Sequence, residues 1–193
     1  NVNLKDAEER QLVKEFLTFT NDMLKIKSPE VLEKDFYLTI FLSEMENETL
    51  IFKGGTCLAK VYLTYHRFSE DLDFTLTESN HLDQDFLIQC FEDISEWVYD
   101  ATGIEIPKDL IRFDVYENNR GGMSAQGRIG YRGPMQPRGD LPRIKLDLTV
   151  DEILALDPAV REVHHPFSDL PENGIKIRCY CFEELFAEKI RAL

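Results

Sequence analysis

The stretch LIFKGGTCLAKVYLTYHRFSEDLDFTL, residues 50–76, constrains this chain more than any other. Leu50, Ile51 and Phe52 form a short apolar run that stops at Gly54-Gly55, which reads as a buried strand entering a tight turn. Thr56 is placed to cap a helix in which Leu58, Val61, Tyr62 and Tyr65 recur at helical spacing, burying one side as far as about His66. Arg67, Phe68 and Ser69 turn the chain back. Asp71, Leu72, Asp73, Phe74, Thr75 and Leu76 then alternate polar and apolar, the period of a strand with one face on a core. Asp71 and Asp73 share the polar face.

Adjacent carboxylates on one strand face repel unless a cation lies between them, and Mg²⁺ is the expected cation. The glycines let backbone N–H groups approach an anion, and the helix start at Thr56 offers unpaired amides and a positive dipole end to phosphate. Taken singly, Gly-Gly makes ordinary turns and Asp-Leu-Asp is commonly a pair of solvated side chains. In this order they read as an active site, one element for phosphate and the other for metal.

A glycine turn followed at short distance by Asp-hydrophobic-Asp resembles the nucleotidyltransferase superfamily pattern. More narrowly, FKGGTCLAKVY followed by RFSEDLDFTL is similar to the AbiEii/AbiGii toxin family of nucleotidyltransferases, toxins of type IV toxin–antitoxin or abortive-infection systems. The similarity extends to VLEKDFYLTIFL upstream and to RIKLDLTVDE and FEELFAEKIRAL downstream. The resemblance implies an α/β (α+β) nucleotidyltransferase fold, a small mixed, mostly antiparallel sheet flanked by helices with the site at the strand ends. It implies in-line attack by an acceptor hydroxyl on the α-phosphate of an NTP, releasing pyrophosphate. The acceptor would be RNA, tRNA or protein, and a cognate antitoxin would accompany the chain. Two other readings stay open: a non-catalytic nucleotide sensor or partner-binding protein on the same fold, and an antibiotic-type enzyme acting on a small molecule.

The site assignments follow. Asp71, Asp73 and Asp147 hold a two-metal Mg²⁺ site and serve catalysis, with Asp147 completing the clamp or accepting the acceptor's proton. Asp147 belongs to a strand whose Ile144, Leu146, Leu148 and Val150 face the core, leaving Lys145, Asp147 and Thr149 on the other side. Gly54, Gly55, Thr56 and Ser69 bind phosphate through backbone or hydroxyl groups. Arg67 and Lys189 neutralise its charge. Lys189 occupies the place of a lysine that the family links to nucleotide phosphates, although a lysine late in a helix also complements the helix dipole. Family members continue past this helix into a mostly helical region, so the chain is expected to stop inside the pattern. The expected organisation is helices over residues 1–48 packing on a catalytic core at 49–181, then the start of a C-terminal helical region at 182–193.

A net charge of −14 argues against broad nucleic-acid binding through the general surface, so any such partner needs a local basic patch. Residues 119–145 supply one: Arg120, Arg128, Arg132, Arg138, Arg143 and Lys145 stand against a single acid, Asp140, among several glycines. This segment could grip RNA, with Tyr131 stacking on a base, or its arginines could simply pair with the acidic surface. Cys57, Cys90, Cys179 and Cys181 show no C-x-x-C spacing and read as reduced thiols in a cytoplasmic protein. No signal peptide and no apolar run of about 18 to 20 residues is present, so membrane insertion is not expected.

Elsewhere, Leu12, Phe16, Phe19 and Met23 mark a first amphipathic helix, and Ser28-Pro29 opens a second. Lys34 and Asp35 are expected at that helix's solvated edge, although the resemblance draws attention to Lys34. Asp83 caps a third helix that Gly103 ends. Strands are expected at Ile111–Glu117, Gln126–Arg132 and Ile175–Cys181, with a turn at 118–122 and a closing helix from Phe182. His164-His165 reads as a surface pair.

Overall fold

The structure, a computed structural model, describes residues 5–24, 29–44, 49–63, 71–135, 141–150, 152–165 and 171–191. Helices α1 (Ala7–Leu24) and α2 (Pro29–Glu44) lead into β1 (Leu50–Lys53) and a short helix α3 (Gly54–Cys57), which passes into a π-turn at Leu58–Tyr62. Then come β2 (Asp71–Leu76), α4 (Gln84–Thr102), β3 (Ile111–Glu117), β4 (Met123–Gly130), β5 (Arg143–Thr149), β6 (Ala159–Val163), β7 (Ile175–Cys179) and α5 (Phe182–Arg191).

The strands form one sheet in the order β3-β4-β5-β2-β1-β7-β6. β2 runs parallel to β5 and β1 to β7, while the other neighbours are antiparallel, as a mixed, mostly antiparallel sheet requires. Alternation decides its faces. Leu72, Phe74, Ile144, Leu146, Leu148, Phe113 and Ile129 turn to one side and are buried. Leu38, Phe41 and Leu42 of α2 and Leu87, Phe91 and Val98 of α4 join the same core. Each such side chain contributes about 1.5–3 kcal/mol when fully buried. The other face is polar. α5 meets the molecule near the π-turn, where the Phe182 ring lies 5.8 Å from that of Tyr62 and Leu185 is buried.

Local signals place α4 well. The Asp83 carboxylate accepts from Phe86 N–H at 2.9 Å, and Gly103 ends the helix at φ 79°. The turn at 118–122 is built by Asn118, whose side-chain oxygen accepts from the N–H of Arg120 and Gly122. This tight turn starts β4 three residues earlier than the sequence suggests, and β7 ends at Cys179 instead of Cys181. β6 has no forerunner in the sequence reading: it is an exposed edge strand that gains its pattern only by pairing with β7.

Four expectations are corrected by packing. Asp35 is buried, drawn inward by Lys60. His165 is buried beside the Phe36 ring, 5.8 Å away. Tyr131 is 1% exposed and meets Tyr37 edge-on at 4.7 Å, so it offers no face to a base. Among the described side chains of α1, Val13 packs against the core while Leu12 stands 66% exposed; those of Phe16, Phe19 and Met23 lie outside the description. All four cysteines are free thiols. No helix among the described residues is long and apolar enough to cross a membrane.

Candidate active site

Register brings the acids together. Across the parallel β2–β5 pair, Asp73 lies opposite Asp147 and Asp71 opposite Lys145. β1 sets Lys53 against Asp73, and β4 and β3 extend the line with Gln126 and Asp114. One row across the polar face therefore reads Asp114, Gln126, Asp147, Asp73, Lys53. Gln126 donates to the Asp147 carboxylate at 3.2 Å. The Asp71 carboxylate leans to Lys145, 3.8 Å from its ammonium, with both side chains about half exposed.

The glycine turn closes against this row. Gly54 has φ 75°, and a Cβ there would stand 2.5 Å from the Asp73 Cγ. Only glycine lets backbone and carboxylate share the space. The helix starts at Gly54, so Thr56 is not its cap; Lys53 holds that position without a side-chain capping bond. The Thr56 hydroxyl instead donates to the Asp71 carbonyl, stapling α3 to β2. What the turn can offer an anion is the first-turn amides at Gly54, Gly55 and Thr56, which have no acceptor within their own helix.

Burial pushes the Asp73 carboxyl up to about 6. Asp147 and, more weakly, Asp71 push the same way, while Lys53 and Lys189 pull it back. Lys53 is held in turn: its ammonium donates to Glu152 at 2.5 Å and to the Thr149 hydroxyl at 2.8 Å. Burial alone would raise the Glu152 carboxyl, but hydrogen bonds from Lys53, Tyr180 and Thr75 outweigh it and hold Glu152 below the usual carboxylate range. Among the described residues, no three His, Cys, Asp or Glu side chains converge as ligands of a metal ion do. The mutual repulsion at Asp73 is nonetheless the electrostatics that a divalent cation between Asp73 and Asp147 would relieve.

Beside Gly54 opens a cleft of about 240 Å³, lined by Arg120, Glu152, Leu185, Glu188, Lys189 and Arg191. A larger hollow of about 490 Å³, between the β3–β4 turn and α5, shares Arg120, Glu152, Glu188 and Arg191 with it. Lys189 thus comes from the last strand-to-helix excursion to within electrostatic reach of Asp73. Of the residues singled out in the sequence, Gly54, Gly55, Thr56, Asp71, Asp73, Asp147 and Lys189 occupy this neighbourhood; Arg67 and Ser69 lie outside the described residues.

Sequence reasoning missed Lys53, Glu152 and Arg191, and assigned Arg120 to an RNA-gripping segment rather than to this cleft. Lys53 carried a signal, since alternation after Phe52 puts it on the polar face just before the glycines. Glu152, three residues past the end of β5, carried no signal of its own in the alternation, although it closes the RIKLDLTVDE segment.

Sheet order and the place of the glycine turn beside paired acids assign the chain to the nucleotidyltransferase class of α+β folds. A family model for the nucleotidyl transferase AbiEii toxin, type IV toxin–antitoxin system, matches residues 40–193, and the chain belongs to that family. No curated protein and no solved structure matches it.

Proposed function

We propose that this chain transfers a nucleoside monophosphate from an NTP to an acceptor hydroxyl on RNA, tRNA or protein, as the cytoplasmic toxin partner of a cognate antitoxin. The observation that carries the reading is the packing of the Asp73 carboxylate against Gly54, beside Asp147 and within reach of Lys189. Phosphate would lie along the amides of Gly54, Gly55 and Thr56, with Lys189, Arg120 and Arg191 around the cleft to neutralise it. Arg67 and Ser69 join that assignment from the sequence alone.

Asp71, Asp73 and Asp147 would hold Mg²⁺, which when bound supplies charge stabilisation to the phosphoryl oxygens and lowers the pKa of the attacking hydroxyl. Lys53 keeps Asp73 polarised, and Glu152, Thr149 and Tyr180 keep Lys53 in place. Asp147, steadied by Gln126, is the carboxylate best placed to take the acceptor's proton.

Calorimetric titration of each NTP, with and without Mg²⁺, into the protein and its Asp71→Asn/Asp73→Asn variant tests the assignment. Mg²⁺-dependent binding that the double substitution abolishes is the expected result. Binding that is absent, or indifferent to both substitutions, overturns it in favour of a partner-binding role.

A further inference from the structure

The same register that aligns the acids aligns a row of cations one step along the strands. Arg112 of β3 lies opposite Arg128 of β4, Arg128 opposite Lys145 of β5, and Lys145 opposite Asp71 of β2. Directly paired residues share a face, so Arg112, Arg128 and Lys145 stand side by side on the polar face, stepped at the inter-strand spacing of about 4.8 Å. All three are exposed. Arg143, two residues before Lys145, extends the same face.

Like charges directly opposite one another destabilise a sheet. Pairing relieves this row only in part. Arg128 reaches Asp114 at 3.5 Å and Gln126 at 2.5 Å, Lys145 reaches Asp71 at 3.8 Å, and Arg112 has no ion pair among the described residues. In a chain of net charge −14, three neighbouring cations without an acid between them form a local exception that points outward.

Position gives the row its meaning. The cleft beside Gly54, with Arg120, Lys189 and Arg191, lies toward one end of the polar face; the cation row lies on the other side of Asp147 and Asp73. An in-line displacement needs its two substrates on opposite sides of the reacting phosphorus, and here two cationic features flank the acids in that way.

We infer that Arg112, Arg128 and Lys145 form a track for the phosphodiester backbone of a single-stranded RNA, which runs across the strands and ends with its terminal hydroxyl at Asp71. The inference rests on the nucleotidyl-transfer reading for the purpose of the track, but binding along it needs neither NTP nor metal. The basic segment 119–145 is accordingly not one patch. Arg120 faces the cleft by α5, Arg132 is paired with Glu105 at 3.0 Å, and the working cations include Arg112 from outside the segment.

The test is fluorescence anisotropy of a 5′-labelled, mixed-sequence RNA of about 15 nucleotides with a free 3′ end, titrated in EDTA without NTP from about 50 to 200 mM salt. Arg112→Gln/Arg128→Gln/Lys145→Gln is expected to lose affinity about tenfold or more and to flatten the log–log salt dependence by about 2, three contacts at about 0.7 each. Arg10→Gln/Lys108→Gln/Arg132→Gln removes the same charge away from the polar face and is expected to stay within about twofold of the parent. Single Arg112→Gln and Lys145→Gln variants, each at an exposed position, are expected to show partial losses and guard against misfolding of the triple variant.

Equal losses in row and control variants, no loss in either, or no salt-dependent RNA binding by the parent overturns the track. A protein or small-molecule acceptor would give the last of these. NTP titration of the row variant separates the two readings: retained nucleotide binding with lost RNA binding supports the track, while RNA binding by a protein that takes no NTP leaves the track and removes the nucleotidyl-transfer role.

Discussion

At Gly54 the backbone and the Asp73 carboxylate compete for one volume, and absence of a side chain is what resolves it. A left-handed φ costs an alanine about 1–2 kcal/mol, and the overlap with Asp73 adds a packing cost of about 1–3 kcal/mol. Gly54→Ala is therefore expected to lower stability by at least about 2 kcal/mol in urea denaturation and to displace Asp73. Unchanged stability would mean that the turn is not held as described. Glu33 presents a different residue-scale tension. It is fully buried, one oxygen accepts from Met135 N–H at 2.8 Å, and the other has no hydrogen-bond partner among the described residues. Burial pushes its carboxyl up to about 7 from the ordinary 4.5, the Met135 bond pulls down, and Glu30 pushes up again. Between those two values the unfolded chain has released its proton while the folded chain keeps it, so rising pH favours unfolding. Stability should fall between pH about 4.5 and 7, by on the order of 3 kcal/mol at most from this group, and Glu33→Gln should remove that share, leaving the fall that the raised Asp73 carboxyl contributes up to pH about 6. A parent protein whose stability rises through the window would refute the assignment.

Among the elements, the helix after the glycine turn departs most from its sequence pattern. Leu58, Val61 and Tyr62 do lie against the core, as their spacing predicts. Yet the turn is π-helical, closed by Leu63 N–H to the Leu58 carbonyl, and it rotates Lys60 inward until only 2% is exposed. There Lys60 meets the Asp35 carboxylate at 2.9 Å and the Thr39 hydroxyl at 2.8 Å, tying the turn to α2. Burial lowers the pKa of this lysine, and Asp35 opposes that shift. Removing one partner leaves an uncompensated buried charge, which costs about 3–5 kcal/mol, whereas removing both costs much less. Urea denaturation of Lys60→Met, Asp35→Leu and the double variant is expected to show that order. A double variant at least as unstable as the sum of the singles would argue that the pair does not interact. π-turns are frequent at functional sites, and this one anchors the amides nearest Asp73.

Over the whole molecule, charge is distributed by face. The apolar side of the sheet is sealed by α2 and α4, while the polar side gathers the paired acids, the cation row and the cleft by α5. The remaining surface is acidic, and a net charge of −14 loads the compact state with repulsion that salt screens. The urea midpoint is expected to rise between about 10 and 150 mM NaCl, where the Debye length shortens from about 30 to about 8 Å. A midpoint that falls would show that attractive surface pairs outweigh the net repulsion. The Lys60–Asp35 pair is buried and should contribute little to that response, and the half-buried Lys53–Glu152 pair only somewhat more.

Features written within a turn or two of chain were legible before any folding was considered. Asp83 and Gly103 bracket α4, alternation marks Ile111–Glu117 and the strand of Asp147, and the order Gly-Gly, helix, Asp-Leu-Asp marks the candidate site, because caps, periodicity and steric freedom are local properties. Burial of Asp35, His165 and Tyr131 was not legible, since each is enclosed by elements far away in sequence. Nor was the pairing of Lys53 with Glu152, 99 residues on, or the alignment of Arg112, Arg128 and Lys145 across three strands. Composition names a basic segment; strand register chooses which of its cations stand together, because a shift of one residue would turn every side chain to the opposite face.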